Sequence, residues 1–279
     1  MIRLIRPIRF GPAVEVFLAV VDGRRCVARR YPCGEPPAGW PPAPDPEVLR
    51  TINHRGIQRF LREVEDDTGA RIQVFAWVPG RTLAEVLATD RAPLPIESCW
   101  VLLHRGALGL QWLHQRCPVA PRLHGDVSPA NLLWARNGRV VWLDCLALQP
   151  GVLPGGSGVV FGTVTYLAPE VLAGEPPTPA SEVFSFGLVI LEALRGPLPW
   201  RGARGPGEVL RAMSGRASPR RLIEGIPSPL AEVLASMMQD DARNRPAAAQ
   251  VVRWARARRC PRRRPRNPDH LCSSSRSCS

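Results

Sequence analysis

The sequence predicts an α+β protein in two unequal parts, a small β-rich part first and a larger helical part after it. Three observations predict it. Residues 14 to 76 hold β-type runs separated by turn signals, residues after about 79 take on helical periodicity, and the texture changes over residues 77 to 80. The chain of 279 residues is 45% hydrophobic and 22% charged, which suits a folded protein with ample core.

The elements follow in order. "VEVFLAVVDGRRCVARRY", residues 14 to 31, reads as two strands joined at "VDGR", a hairpin signal. The Pro-rich run "PCGEPPAGWPPAPDP" then excludes a helix. Asp45 followed by Pro46 is an N-cap with Pro at the first helical position, opening a short helix over "EVLRTINHRG". "IQRFLREVEDDTGARIQVFAWV" reads as a second hairpin that turns near Asp67 to Gly69. Beyond the hinge, "TLAEVLA" and "ESCWVLLHRGALGLQWLHQRC" are helical, and "RVVWLDCLAL" is a short β segment. "SEVFSFGLVILEALR" reads as a buried helix, with further helices over "SPLAEVLASMMQ" and "AAAQVVRWARA". No internal repeat is visible.

Composition narrows the function classes. No apolar run reaches about 18 residues, so no membrane helix is expected. The basic start "MIRLIRPIRF" leads into no uninterrupted apolar stretch, so no secretory signal is expected either. Eight cysteines without a C-x-x-C pair argue against a zinc ribbon or a disulfide framework and fit a reducing, cytoplasmic setting. All 37 basic residues are Arg, so any site that needs a lysine amine is altered here. The net charge of +13 is concentrated from Arg253 onward, where nine Arg and one Asp occur. Residues 259–279, rich in Arg, Ser and Pro, are expected to form a disordered tail. Aromatic residues are not interleaved with that Arg cluster beyond Trp254, so nucleic acid is not the expected partner.

Five motifs then fall in one order. "HGDVSPAN" resembles the catalytic loop of protein kinases, H-R-D-L-K-P-x-N, and "LDCLA" resembles their D-F-G segment. "GTVTYLAPE" resembles the end of the activation segment, "SEVFSFG" the D-V-W-S-F-G helix, and "DARNRP" the D-P-x-x-R-P element. The chain thus resembles the protein kinase domain family over roughly residues 8 to 258, most closely the bacterial, eukaryotic-like serine/threonine kinases. The resemblance implies a bilobal fold with an N-lobe over about 1–78 and a C-lobe over about 79–258. It also implies ATP and Mg²⁺ as cofactors and a protein substrate or signalling partner.

The chemistry agrees with the residue types. Phosphoryl transfer is mostly positioning and charge neutralisation. Asp126 supplies a carboxylate to orient the attacking hydroxyl. Asn131 and Asp144 supply the oxygens that Mg²⁺ takes alongside phosphates. By resemblance, Phe75 stands at the gatekeeper position, and Glu170 and Arg245 form a buried ion pair. His124 is expected to pack and hydrogen-bond within the loop.

The upper part of the expected site departs from the family. Against G-x-G-x-x-G-x-V the chain offers "RFGPAVEV", in which Gly11 alone remains and Pro12 lacks an amide donor. Against V-A-I-K it offers "VARR", which puts Ala28 over the nucleotide and Arg30 in place of the phosphate-contacting Lys. Arg is not a conservative stand-in for Lys. The usual Glu partner of that Lys is matched by Asp45, and an Arg30–Asp45 pair is expected. Gly125 replaces the loop Arg, which predicts no dependence on a phosphorylated activation loop. Ser128 replaces the loop Lys, and Leu146 replaces the Gly of D-F-G. The two function readings that follow are a serine/threonine kinase with impaired transfer, and a pseudokinase acting as a scaffold or allosteric partner.

Overall fold

The computed structural model describes residues 2–11, 13–34, 43–90, 93–150, 163–215 and 217–258. The expected Arg-rich tail, most of the Pro-rich run and Pro12 lie outside the described residues.

The first part is a five-stranded antiparallel sheet of order β1-β2-β3-β5-β4. Its strands are β1 (Ile2–Phe10), β2 (Glu15–Val21), β3 (Arg24–Tyr31), β4 (Phe60–Glu65) and β5 (Arg71–Ala76). Both predicted hairpins form. Strand β1 was not expected from the sequence, and the reason is its position. It is an edge strand exposed along nearly its whole length, so no alternation of apolar and polar residues marks it. An edge is also where Pro7 is tolerated in a strand.

Between β3 and β4 lies α1 (Pro46–Thr51), six residues long. Asp45 caps it, accepting a hydrogen bond from the Glu47 amide at 2.8 Å. The helix is shorter than the "EVLRTINHRG" stretch because Ile52 leaves helical geometry.

The helical part starts after β6 (Gly80–Thr82) with α2 (Leu83–Asp90) and the 21-residue α3 (Ile96–Arg116). A small sheet of β6, β7 (Leu132–Ala135) and β8 (Val140–Trp142) carries the loops of interest. There follow α4 (Pro169–Leu172) and α5 (Pro179–Arg195), then α6 (Pro206–Ser214), α7 (Pro219–Leu222), α8 (Leu230–Met237) and α9 (Ala248–Ala257). Thr178 and Ser181 cap α5 reciprocally. Apolar residues run all round α5, as expected of a helix buried in the core. Gly106 of α3 gives it room: a Cβ there would lie 2.5 Å from the Phe186 ring.

The core falls into three clusters. The largest fills the helical part. A second joins the two parts, with Val16, Val27 and Phe75 of the sheet against Leu113, Cys145 and Ala147. The third, built on Ala19, Cys26, Ala28, Ile72 and Val74, lies on the other face of the sheet.

That division corrects the expectations for Ala28 and Arg30. In a strand, neighbouring side chains point to opposite faces. Val27 packs toward the helical part, so Arg29 points that way too, whereas Ala28 and Arg30 point away. Ala28 is therefore core on the far face and does not cover the cleft. Arg30 bonds Asp66 at 2.6 Å and Glu15 at 3.0 Å, on the same far face. No Arg30–Asp45 pair forms among the described residues, since Arg30 is engaged elsewhere and Asp45 caps α1.

Candidate active site

The quoted loop "HGDVSPAN" runs from a bridge at Leu123–Leu148 to the start of β7. His124 is fully buried at its root. Its Nε2 donates to the Leu143 carbonyl at 2.8 Å, and its Nδ1 accepts from the Asp126 amide at 3.3 Å. Those two bonds need a neutral ring. Burial pushes the His124 pKa below the ordinary imidazole value, despite the nearby carboxylates of Glu182 and Asp126. His124 is thus a packing and hydrogen-bonding residue.

Gly125 has φ +93°, a conformation that favours glycine. An added Cβ would also press on Leu146 and Leu148 at 3.0 Å. The Gly125 amide donates to Glu182 Oε1 at 2.7 Å, and Glu182 Oε2 meets His114 Nε2 at 2.8 Å. Burial opposes charge on Glu182, but the hydrogen bond and charge of His114 hold its carboxyl below the usual range. So α5 grips the loop through a buried carboxylate. Glu182 was not singled out from the sequence, although its motif "SEVFSFG" was.

Asp126 stands at the centre. One carboxylate oxygen accepts from Asn131 Nδ2 at 2.7 Å. The other accepts from the amide and from the hydroxyl of Thr163, each at 2.9 Å. Asn131 also donates to the Asp126 carbonyl at 3.0 Å, which ties the loop into one turn. Thr163 was likewise missed, and its signal was the "GT" that opens "GTVTYLAPE".

Asp144 follows β8, with φ 55°. The Leu143 amide donates to the Asn131 carbonyl at 2.8 Å, so the two candidate metal ligands sit on neighbouring, mutually bonded segments. Asp144 is not free, however. Arg29 donates to its Oδ1 at 2.5 Å and Arg9 to its Oδ2 at 2.7 Å. Burial opposes ionisation of Asp144, and the guanidiniums of Arg29 and then Arg9 outweigh it, holding the carboxyl below the usual range. The strand cation that faces the site is therefore Arg29, where the letter match pointed to Arg30. The Arg29 guanidinium lies 4.1 Å from the centre of the Phe75 ring. Phe75 is buried beneath it and packs edge-on against Phe60.

Gly11 lies in the turn between β1 and β2. Its amide donates to the Val14 carbonyl at 3.0 Å, so that donor is spent inside the turn. Ser128 Oγ is buried without a hydrogen-bond partner among the described residues.

The residues present fit Mg²⁺ in type. Asn131 uses its amide nitrogen on Asp126, which leaves its amide oxygen as a ligand, and Asp144 offers a carboxylate. A metal ion taking Asp144 would share its carboxylate with the two guanidiniums or displace one of them.

Away from the loop, Glu170 of α4 accepts two hydrogen bonds from Arg245, at 2.6 and 2.8 Å. The Arg245 side chain is fully buried and lies over Phe184. The ion pair expected from the sequence is formed.

A small sheet packed on a helical part, with a loop Asp, a loop Asn and a second Asp meeting at the junction, is the architecture of a phosphoryl-transfer domain. The pattern of the protein kinase domain matches residues 45–255, and the chain belongs to that family. The match starts at Asp45, so Arg9, Arg29 and Arg30 lie before it. Among curated relatives, the chain is 34% identical over 145 residues to "Serine/threonine-protein kinases drp72" of Corynebacterium efficiens, covering 50% of this chain and 27% of that one. It is 31% identical over 178 residues to the probable serine/threonine-protein kinase PkwA of Thermomonospora curvata, covering 63% and 23%. It is 27% identical over 235 residues to serine/threonine-protein kinase PknB of Mycobacterium leprae, covering 81% and 37%. The chain thus spans less than two-fifths of these relatives' lengths. Kinases of this family use ATP and Mg²⁺ and act on protein substrates. Among the described residues no helix is long and apolar enough to cross a membrane.

Proposed function

We propose that the chain is a serine/threonine protein kinase that transfers the γ-phosphoryl group of ATP to a protein hydroxyl, at a rate well below that of an intact site. The single observation that carries this reading is the Asp126 carboxylate, fixed by Asn131 on one oxygen and Thr163 on the other. As the substrate oxygen bonds to the γ-phosphorus, the bond from that phosphorus to the β–γ bridging oxygen breaks and ADP departs. Asp126 orients the hydroxyl and accepts its proton. Asn131 and Asp144 would hold Mg²⁺, which supplies charge neutralisation at the phosphates. Arg29, at the strand position that faces the site, supports phosphate contact. The single glycine and the internally bonded Gly11 amide support slow turnover.

The second reading is a pseudokinase that binds a signalling partner without transfer. The two guanidiniums on Asp144 favour it, because the metal carboxylate is already paired. Transfer of labelled phosphate from ATP–Mg²⁺ to the protein itself or to a generic basic protein separates the two. Signal that disappears in Asp126→Asn supports the kinase, and equal signal from both proteins rules it out.

A further inference from the structure

We propose that Arg9 binds the nucleotide phosphates in this chain, doing with a side chain what glycine-loop amides do elsewhere. The proposal rests on the kinase reading for the class of its ligand. Four observations carry it. First, the β1–β2 turn offers an anion fewer amides than a glycine loop does, since the Gly11 amide is bonded to Val14 and residue 12 is a proline. Second, the pairing of β1 with β2 breaks register between Pro7 and Arg9, the kind of irregularity that re-aims a side chain. From there Arg9 reaches Asp144, 135 residues along the chain. Third, the charges at this point do not balance. One carboxylate faces two guanidiniums, so the cluster carries an excess positive charge that an anion would neutralise. Fourth, the buried Arg29 keeps its Nε without a hydrogen-bond partner among the described residues, and Arg9 is half exposed.

Arg9 then has two positions. Without nucleotide it rests on Asp144 Oδ2. With nucleotide it turns onto the phosphates, which also exposes Oδ2 to a metal ion. The planar fork of Arg suits phosphate oxygens. Arg29 stays on Oδ1, fixed by burial and by the Phe75 ring.

The test is calorimetric titration of the full chain with ATP and, separately, with adenosine, each in EDTA and in Mg²⁺. Arg9→Gln is expected to weaken ATP binding roughly tenfold or more in both media, as loss of a charge-assisted hydrogen bond implies. Adenosine binding should not change, and Arg9→Lys should recover part of the loss. Thermal melting checks that each variant is folded. Arg9→Met, which keeps the aliphatic stem, replaces Arg9→Gln if the latter unfolds. ATP binding that is unchanged or tighter in Arg9→Gln overturns the proposal, the tighter case making Arg9 a mere competitor of the metal. An equal loss for adenosine, or no ATP binding by the unmodified protein, overturns it as well. Binding is read without turnover. An Asp126→Asn protein that transfers phosphate as well as its parent would end the kinase reading and leave the Arg9 result standing.

Discussion

Arg29 of β3 donates to Asp144 at 2.5 Å, across 115 residues of sequence, and so joins the sheet to the segment after β8. Its neighbour Arg30 points to the opposite face and holds Glu15 and Asp66. The two arginines should therefore respond differently to substitution. Arg29→Ala removes the buried partner of Asp144, leaving that carboxylate only the half-exposed Arg9, and is expected to lower unfolding free energy by about 2 kcal/mol. Arg30→Ala removes pairs at a more solvated surface and should shift the urea midpoint much less. A larger shift for Arg30→Ala would reverse the assignment of faces.

Thr163 gives Asp126 both a backbone and a side-chain donor. Thr163→Ala removes the hydroxyl together with the γ-methyl and leaves the backbone donor in place. Phosphoryl transfer is expected to fall roughly tenfold, the cost of about one hydrogen bond to a charged group. The melting temperature should hold, because Thr163 is exposed. Thr163→Ser should restore the rate, which distinguishes positioning of Asp126 from loss of a methyl contact.

Glu170 and Arg245 form a two-pronged pair whose Arg is wholly buried. Glu170→Ala leaves that guanidinium without its counter-charge and should cost about 3 kcal/mol, read from denaturant unfolding. Replacing both residues with apolar ones should cost less than the single change, since the stranded charge is then gone.

Stability should fall on mild acidification. His124 is held neutral, with its folded pKa below the ordinary 6.5. Below that value the unfolded chain binds a proton that the folded chain resists. The stabilisation is complete above pH 6.5 and erodes as pH drops toward the folded pKa, with a slope of up to about 1.4 kcal/mol per pH unit. His54, lowered by burial and then by Arg55, Arg116 and Arg139, acts in the same direction. Further acid protonates Glu182, Glu170 and Asp144, whose folded pKa values are also depressed, and removes more stability. Urea unfolding at about pH 7.5 and 5.5 measures the first step. His124→Asn should reduce it, leaving the share that His54 contributes.

Much of the helical part was readable from the sequence alone. "HGDVSPAN", "LDCLA", "GTVTYLAPE", "SEVFSFG" and "DARNRP" carry local constraints: a glycine at φ +93°, a proline opening α4, an ion pair between two motifs. Such constraints survive as letters in order. The family, the two-part fold and the pairing of Glu170 with Arg245 followed from them.

The sheet was less readable, and the reason is its period. Every second residue of a strand faces one way, so "VARR" reads equally well in two phases. Two adjacent arginines give no polar–apolar contrast to choose between them. Packing chose: Val27 enters the core beneath the sheet, Arg29 follows it toward Asp144, and Arg30 turns to the far side. Strand β1 escaped notice because an exposed edge needs no pattern, and the reach of Arg9 depends on an irregular register that no motif records. The sequence by itself determined which family this chain belongs to and which Asp lies in its loop. Only the tertiary structure decided which arginines meet Asp144, because that depends on which face of each strand is buried.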